Sequence, residues 1–435
     1  MTFFSPKKNH DLTREEAAHL TRRCGFGATS NDIERLQKLG LNLGVQQYFE
    51  RQSEPHNVQH LDQGVTHYLG TDNIEPLASW WLLRMALTTN PLFEKMSLFW
   101  HGHFATSNRK IQSPRLMYQQ IGLFRGDPFG SFQTLIHQIS TDPAMIYWLD
   151  NNSNTKEQPN ENFAREVMEL FSLGIGNYTE KDIQEAARAF TGWFVHEKKF
   201  RFSERAHDPR NKTVFGHKGP WKGEDIIQFC VEQPASKRFL AKKLLKFFVH
   251  PEPPKEAIEA LATLIEQANF SFTEPLKAVF QSEWFFGEEN RNALIRSPVD
   301  LIVGTIRLFE YQGDIHQAEQ LATSMGQSLF RPPNVKGWDG NRIWINAATL
   351  LGRQHLAHHV SQYVVSGENK FKSWGNGSPE EVVERICAKC VTGPVPEPIL
   401  KKLIDYLATA PEESRFSYVA GIIEAVLMLP EYQTA

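Results

Sequence analysis

Residues 160–171, NENFAREVMELF, decide the fold class of this chain. At roughly 100° per residue on a helix, Glu161, Asn162, Arg165, Glu166 and Glu169 share one arc of about 140°. Phe163, Ala164, Val167, Met168, Leu170 and Phe171 fill the opposite side. Asn160 reads as the N-cap of this helix. Asn162 is a poor helix former with no capping excuse, so its presence is unexplained by helix chemistry alone.

The same period recurs outward in both directions. Thr13 and Glu16 form a capping box, opening a helix that Gly25 and Gly27 stop near Cys24. Ser30 caps the next, which ends at Gly40. Helical runs follow near 42–53, 74–89, 91–104, 113–125, 130–139 and 179–191, and resume near 223–231, 234–249, 254–268, 273–285, 297–311, 346–364, 378–391, 396–409 and 413–429. Between them, residues 192–217 alternate and carry turn chemistry. Short strands are expected at 193–195, 200–202 and 213–215, with AHDPRN connecting. The expected fold is mainly α, a large multi-helix single domain with a small β-meander insert around 192–217. Residues 1–365 form the main helical body with that insert. Residues 366–435 form a C-terminal helical segment packed on it, after a Gly/Ser/Asn-rich linker at 366–380.

Composition narrows the function classes. The chain has 435 residues, 47 Lys+Arg and 50 Asp+Glu, a formal net charge of −3. A near-neutral chain is not expected to carry a nucleic-acid footprint. With 41% hydrophobic and 11% aromatic residues it is not a disordered acidic chain. No stretch approaches the ~18 apolar residues of a membrane span. The start MTFFSPKKNHDLTREEAAHL lacks the apolar centre of a secretory signal, so the expected compartment is cytoplasmic. Cys387 and Cys390 form a CxxC without the two further ligands a zinc site needs, and read as ordinary helix cysteines.

Four segments look chemical. In FWHGHFATS (99–107), His101 and His103 flank a glycine, and two imidazoles so spaced can serve one metal. On the central helix, Glu166 and Glu169 lie at i, i+3, so both carboxylates can meet one ligand, with Arg165 tying them to Glu161. In AHDPRNK (206–212), His207 can ligate or transfer protons. Asp208 beside Pro209 is first a turn former. In FRPPNVKGW (330–338), a long irregular segment rich in Pro, Gly and Trp, Lys336, Trp338 and Asn334, with Asn346 beyond, can line a pocket. His355 and His359 lack the acidic centre of a zincin and are set aside.

The segments HLTRRCGFGAT, FWHGHFATS, NENFAREVMELFSLGIGNYTEKDIQEAARAFTGW and LFRPPNVKGW together resemble a bacterial family called domain of unknown function 1800. The resemblance spans nearly the whole chain, and its motifs coincide with the residues chosen above on chemical grounds. It implies no activity. It implies a partner, the product of a neighbouring gene from a second family similar to sulfatases or phosphatases. Many relatives carry an export leader, and the start of this chain shows none.

The expected function is therefore a metal-dependent or acid–base enzyme, hydrolase-like. Its catalytic set is Glu166, Glu169, Arg165, His207, Asp208 and Lys336. Its cofactor is a divalent metal ion on His101, His103, Glu166 and His207. The competing expectation is a non-catalytic scaffold or partner-binding protein whose polar motifs form a structural network. Four carboxylates (Glu161, Glu166, Glu169, Asp208) against Arg165 and Lys336 suggest a site suited to a cation or a metal-bridged anion.

Overall fold

The computed structural model describes residues 3–366 and 372–435, so part of the expected linker lies outside the described residues. The chain is mainly α, with two small two-stranded sheets. Among the described residues, no helix is long and apolar enough to cross a membrane. Eight helices build and brace the main cleft. They are α1 (Arg14–Cys24), α2 (Pro91–His103), α3 (Glu161–Glu166), α4 (Glu180–Ala189), α5 (Pro234–Phe248), α6 (Pro298–Phe309), α7 (Ala347–Ser366) and α8 (Arg415–Leu427).

Helix starts follow the sequence signals closely. The Thr13/Glu16 capping box is formed, as is one at Thr179/Asp182 ahead of α4. Thr29, not Ser30, caps the second helix, because Asp32 completes its box. That helix breaks at Gly40, as expected, where the backbone leaves helical geometry at φ +71°, and a second helical stretch runs on to Phe49. Helices His56–Gly64 and Ile315–Ser324 were not expected.

The insert is not a meander. β1 (Trp193–His196) pairs with β2 (Lys199–Phe202), and β3 (Lys212–Val214) pairs with β4 (His217–Gly219), as two separate hairpins. Each closes through two residues with positive φ: Glu197 and Lys198, then Phe215 and Gly216. That is the turn whose twist matches a tight hairpin. Neither turn carries Asn-Gly or Asp-Gly, which is why the second hairpin is hard to see in sequence. The α4 side chains hold it: Glu185 accepts the Thr213 N–H and Asp182 the Phe215 N–H, both at 2.8 Å.

The core is continuous and aromatic. Trp100 of α2 is fully buried among Phe104, Phe132 and Phe272, and its indole N–H donates to the Pro128 carbonyl at 2.8 Å. Burying each such ring stabilises the fold by about 1.5–3 kcal/mol. The C-terminal helices join the same body. α8 packs on α7, and the Tyr432 hydroxyl meets Thr305 of α6 at 2.7 Å.

Two glycine approaches set the cleft walls. A Cβ on Gly27 would lie 2.8 Å from the Gly304 Cα, so the turn after α1 rests directly on α6. Gly337, at φ +79°, sits on the Gly102 carbonyl where any Cβ would overlap it. CGFG thus meets α6, and WHGH meets VKGW, backbone to backbone.

Candidate functional site

The dominant cavity is a cleft of about 1350 Å³. Its walls come from the end of α1, the last turns of α2, the segment 169–177, α5, the start of α6 and the loop 336–344. Ten Lys or Arg line it (Arg22, Arg23, Lys95, Arg238, Lys242, Lys243, Lys246, Arg296, Lys336, Arg342) against four acids (Glu169, Glu252, Asp300, Asp339). This overturns the expectation of a site suited to a cation. That expectation summed only the residues picked from motifs. Nine of the ten cations lie outside that set, five of them on α5 and next to α6.

The central helix explains how its acids reach the cleft. α3 runs only to Glu166, and residues Val167–Leu173 continue as a π-helix. Within this wider turn the Ser172 hydroxyl donates to the Val167 carbonyl, five residues back, at 2.5 Å. Such segments recur at functional sites. Glu169, on the widened turn, lines the cleft and accepts a short hydrogen bond from Tyr178. Glu166 feels Glu169 as a like charge and Lys336 as an opposite one. Burial first, then Glu169, pushes the Glu166 carboxyl up to about 7. Arg165 turns away instead, to Glu180 at 2.7 Å and Glu161 at 3.2 Å, a solvated pairing. Asn162 is now explained: its amide donates to the Leu149 carbonyl at 3.0 Å, anchoring the helix start.

The two histidines of α2 face apart, as i, i+2 residues on a helix must. The His101 Nε2 accepts the Phe330 N–H at 3.0 Å, and its ring packs among Trp81, Phe330 and Trp338. Burial lowers its pKa to about 3, so it stays neutral. His103 does line the cleft. Its Nε2–H donates to the Phe171 carbonyl at 2.9 Å, and its buried Nδ1 has no partner among the described residues. Burial, and then the nearby Lys243, hold it well below the usual histidine range.

His207 and Asp208 lie elsewhere, outside the cleft lining. The His207 Nδ1–H donates to the Thr191 carbonyl at 2.9 Å. Asp208 is 1% exposed and clasped by Arg188 at 2.8 Å and Arg210 at 2.7 Å, which hold its carboxyl well below the usual range. Its Oδ1 also takes the Arg210 N–H, the turn expected of it. Lys212 donates to the Asp208 carbonyl at 2.5 Å, and burial lowers it to about 8. The loop thereby fastens both hairpins to α4.

Of the sequence-chosen residues, the structure brings His103, Glu169, Lys336 and Trp338 to one cleft, with Glu166 beside them. It does not bring His101, Arg165, His207 or Asp208 there. Asn334 instead caps its own loop by accepting the Lys336 N–H at 2.9 Å, and Asn346 bonds Thr349. Among the described residues, no group of three or more His, Cys, Asp or Glu could hold a metal ion. The expected ligand set is thus dispersed. Cys387 and Cys390 are buried on a helix with thiols raised by burial. Sequence reasoning missed Arg22, Arg23, Lys95, Lys243 and Arg296. The Arg22–Arg23 pair stood within the quoted HLTRRCGFGAT, but cations in a helix's last turn are what the helix dipole favours anyway.

The model of the family described as protein of unknown function (DUF1800) matches residues 19–434. The chain belongs to that family. The match takes in all the segments that meet at the cleft, from the Arg22–Arg23 turn to the C-terminal strand-like end. No curated protein and no solved structure matches the chain.

Proposed function

We propose that the cleft performs acid–base chemistry on an anionic substrate, of a hydrolase-like kind. The observation that carries this is the position of the Glu166/Glu169 pair at the edge of a strongly cationic cleft. A carboxyl near 7 is half protonated at neutral pH, so Glu166 can give or take a proton within one cycle. Glu169, fixed by Tyr178, holds the second carboxylate. Lys336 supplies the charge facing them, and the unpartnered Nδ1 of neutral His103 offers an acceptor inside the cleft. The reading assigns His101 to holding the 330–338 loop and His207 and Asp208 to holding the insert.

The test is turnover of chromogenic phosphate, sulfate and carboxylate esters by wild type, Glu166→Gln and Glu169→Gln. Turnover in wild type that collapses by at least about tenfold in both variants is expected. Turnover indifferent to both, or none with any ester, would defeat the reading.

A second reading, a scaffold that binds a partner such as a neighbouring gene's product, is favoured by one observation. Ile343 (52% exposed), Ile345, Leu350 and Leu351 (53% exposed) cluster in sequence just beyond the cleft loop. Large exposed apolar side chains, where they join into one patch, mark contact surfaces. Co-purification of the two gene products, lost in Ile343→Ser/Leu351→Ser, would favour it.

A further inference from the structure

Buried cations in this chain are answered in two ways. Arg84, 4% exposed, meets the carboxylates of Glu54, Asp62 and Glu94, all within 3.0 Å. Arg353, 1% exposed, meets only neutral oxygens, those of the Gln433 amide and the Arg296 carbonyl. The inner end of the cleft gathers several buried cations around one cavity. Arg22 and Arg23 from α1, Lys95 from α2 and Arg296 from the approach to α6 are each more than nine-tenths buried, and all four line the cavity. They sense one another's charge. One carboxylate answers them, Asp300, and it is already paired with Lys95.

The protein partners of the three arginines are neutral, and those of Arg22 and Arg23 do not exhaust them. Arg23 donates one Nη to the Asn290 carbonyl at 2.7 Å, while its Nε and other Nη have no partner among the described residues. Arg22 reaches Asn292 at 3.5 Å and Thr392, and its Nε is likewise unpartnered. Arg296 donates its Nε to the Thr434 carbonyl at 3.1 Å and lies over the Tyr432 ring. Burial lowers Arg22 and Arg23 only to about 9, so both remain charged at neutral pH. Several desolvated cations with spare N–H groups cost several kcal/mol unless an anion joins them.

We infer that Arg22, Arg23, Lys95 and Arg296 form a site for a tetrahedral oxoanion, a phosphate or sulfate group carried by the ligand. Four cations against one side-chain carboxylate leave an excess of positive charge for an anion to balance. Guanidinium forks also match the oxygen spacing of phosphate and sulfate. Apolar surface from Phe99, Phe247 and Trp338 lines the same cavity, so the body of the ligand has a place beside its charged end. The inference deepens the reading above by naming the substrate's charged group, and it relies on that reading only for what happens next.

The test is calorimetric titration of the full chain with inorganic phosphate, sulfate and acetate at fixed ionic strength. Phosphate and sulfate are expected to bind one per chain, at least about tenfold tighter than acetate. Arg23→Gln and Arg296→Gln are expected to weaken phosphate at least about tenfold. Lys246→Gln, at the exposed mouth, is expected to change it less than about threefold. Glu166→Gln should leave phosphate affinity intact, so a failed acid–base mechanism and a failed anion site give different results. No saturable phosphate binding to wild type by about 10 mM overturns the inference. So does equal affinity for acetate, or a folded Arg23→Gln with unchanged affinity. If the arginine variants do not fold, the phosphate-to-acetate ratio of wild type decides alone.

Discussion

Gly337 rests on the carbonyl of Gly102 with no room for a side chain, whereas Gly102 itself has space on its own Cβ side, its nearest neighbour being Trp338 at 3.9 Å. The closeness is therefore one-sided. Gly337→Ala must move the loop or strain a positive-φ backbone, and is expected to cost at least about 2 kcal/mol. Gly102→Ala lies in a helix and should be neutral or stabilise by up to about 1 kcal/mol. Urea unfolding of the two variants checks both; similar midpoints would show that the loop does not dock as described.

Glu166→Gln separates the catalytic reading from the scaffold one. The folded-state carboxyl sits near 7, above its ordinary value, so folding favours the protonated form. Stability from this group is full at pH 4–5 and is lost as pH rises through 7. Gln cannot ionise. The variant should match wild type at pH 5 and exceed it at pH 8 by about 1–2 kcal/mol, after discounting for partial solvation. A structural network instead predicts a lower melting temperature at every pH.

His101 is held neutral, with a pKa near 3. The unfolded chain takes up that proton below about 6.5 and the folded one does not. Stability from His101 is therefore complete above 6.5 and is lost as pH falls towards 3. His101→Gln keeps an acceptor for the Phe330 N–H and removes the titration. The stability slope between pH 5 and 6 should flatten by up to about 1.4 kcal/mol per pH unit. An unchanged slope would mean the imidazole titrates freely.

Asp208→Asn strips the charge that Arg188 and Arg210 clasp. A loss of about 2–3 kcal/mol is expected. Hydrogen exchange should accelerate first in the second hairpin, whose Thr213 and Phe215 amides are held by the same helix. Exchange spread evenly over the chain would argue against a local fastening. Because the carboxyl is depressed, its contribution persists from neutral pH downward until below the ordinary aspartate value, and is then lost.

The helical fold was legible because capping boxes and 3.6-residue periodicity are local. Thr13, Thr179 and Asn160 act where they stand in sequence. The π-helix after Glu166 was not legible, since a straight helix satisfies the same apolar pattern. The site was half legible. Glu169, His103 and Lys336 announced themselves as unlike polar groups in separate motifs. His101 and Asp208 did so too, yet their partners are a distant backbone N–H and two arginines that only the tertiary fold supplies. Arg296 stood in no motif, and its role comes from being brought against α1 across a long span of chain.

The separation of charge between cleft and whole chain governs how a ligand arrives. The molecule carries −3 in total, while its cavity is lined by ten cations and four acids. Beyond a screening length of about 8 Å in physiological salt, an approaching anion meets a body with almost no attraction to offer. Encounter is then expected to be little changed by ionic strength, which stopped-flow binding at two salt concentrations checks. Discrimination is deferred to the interior, where residence time rather than capture distinguishes one anion from another.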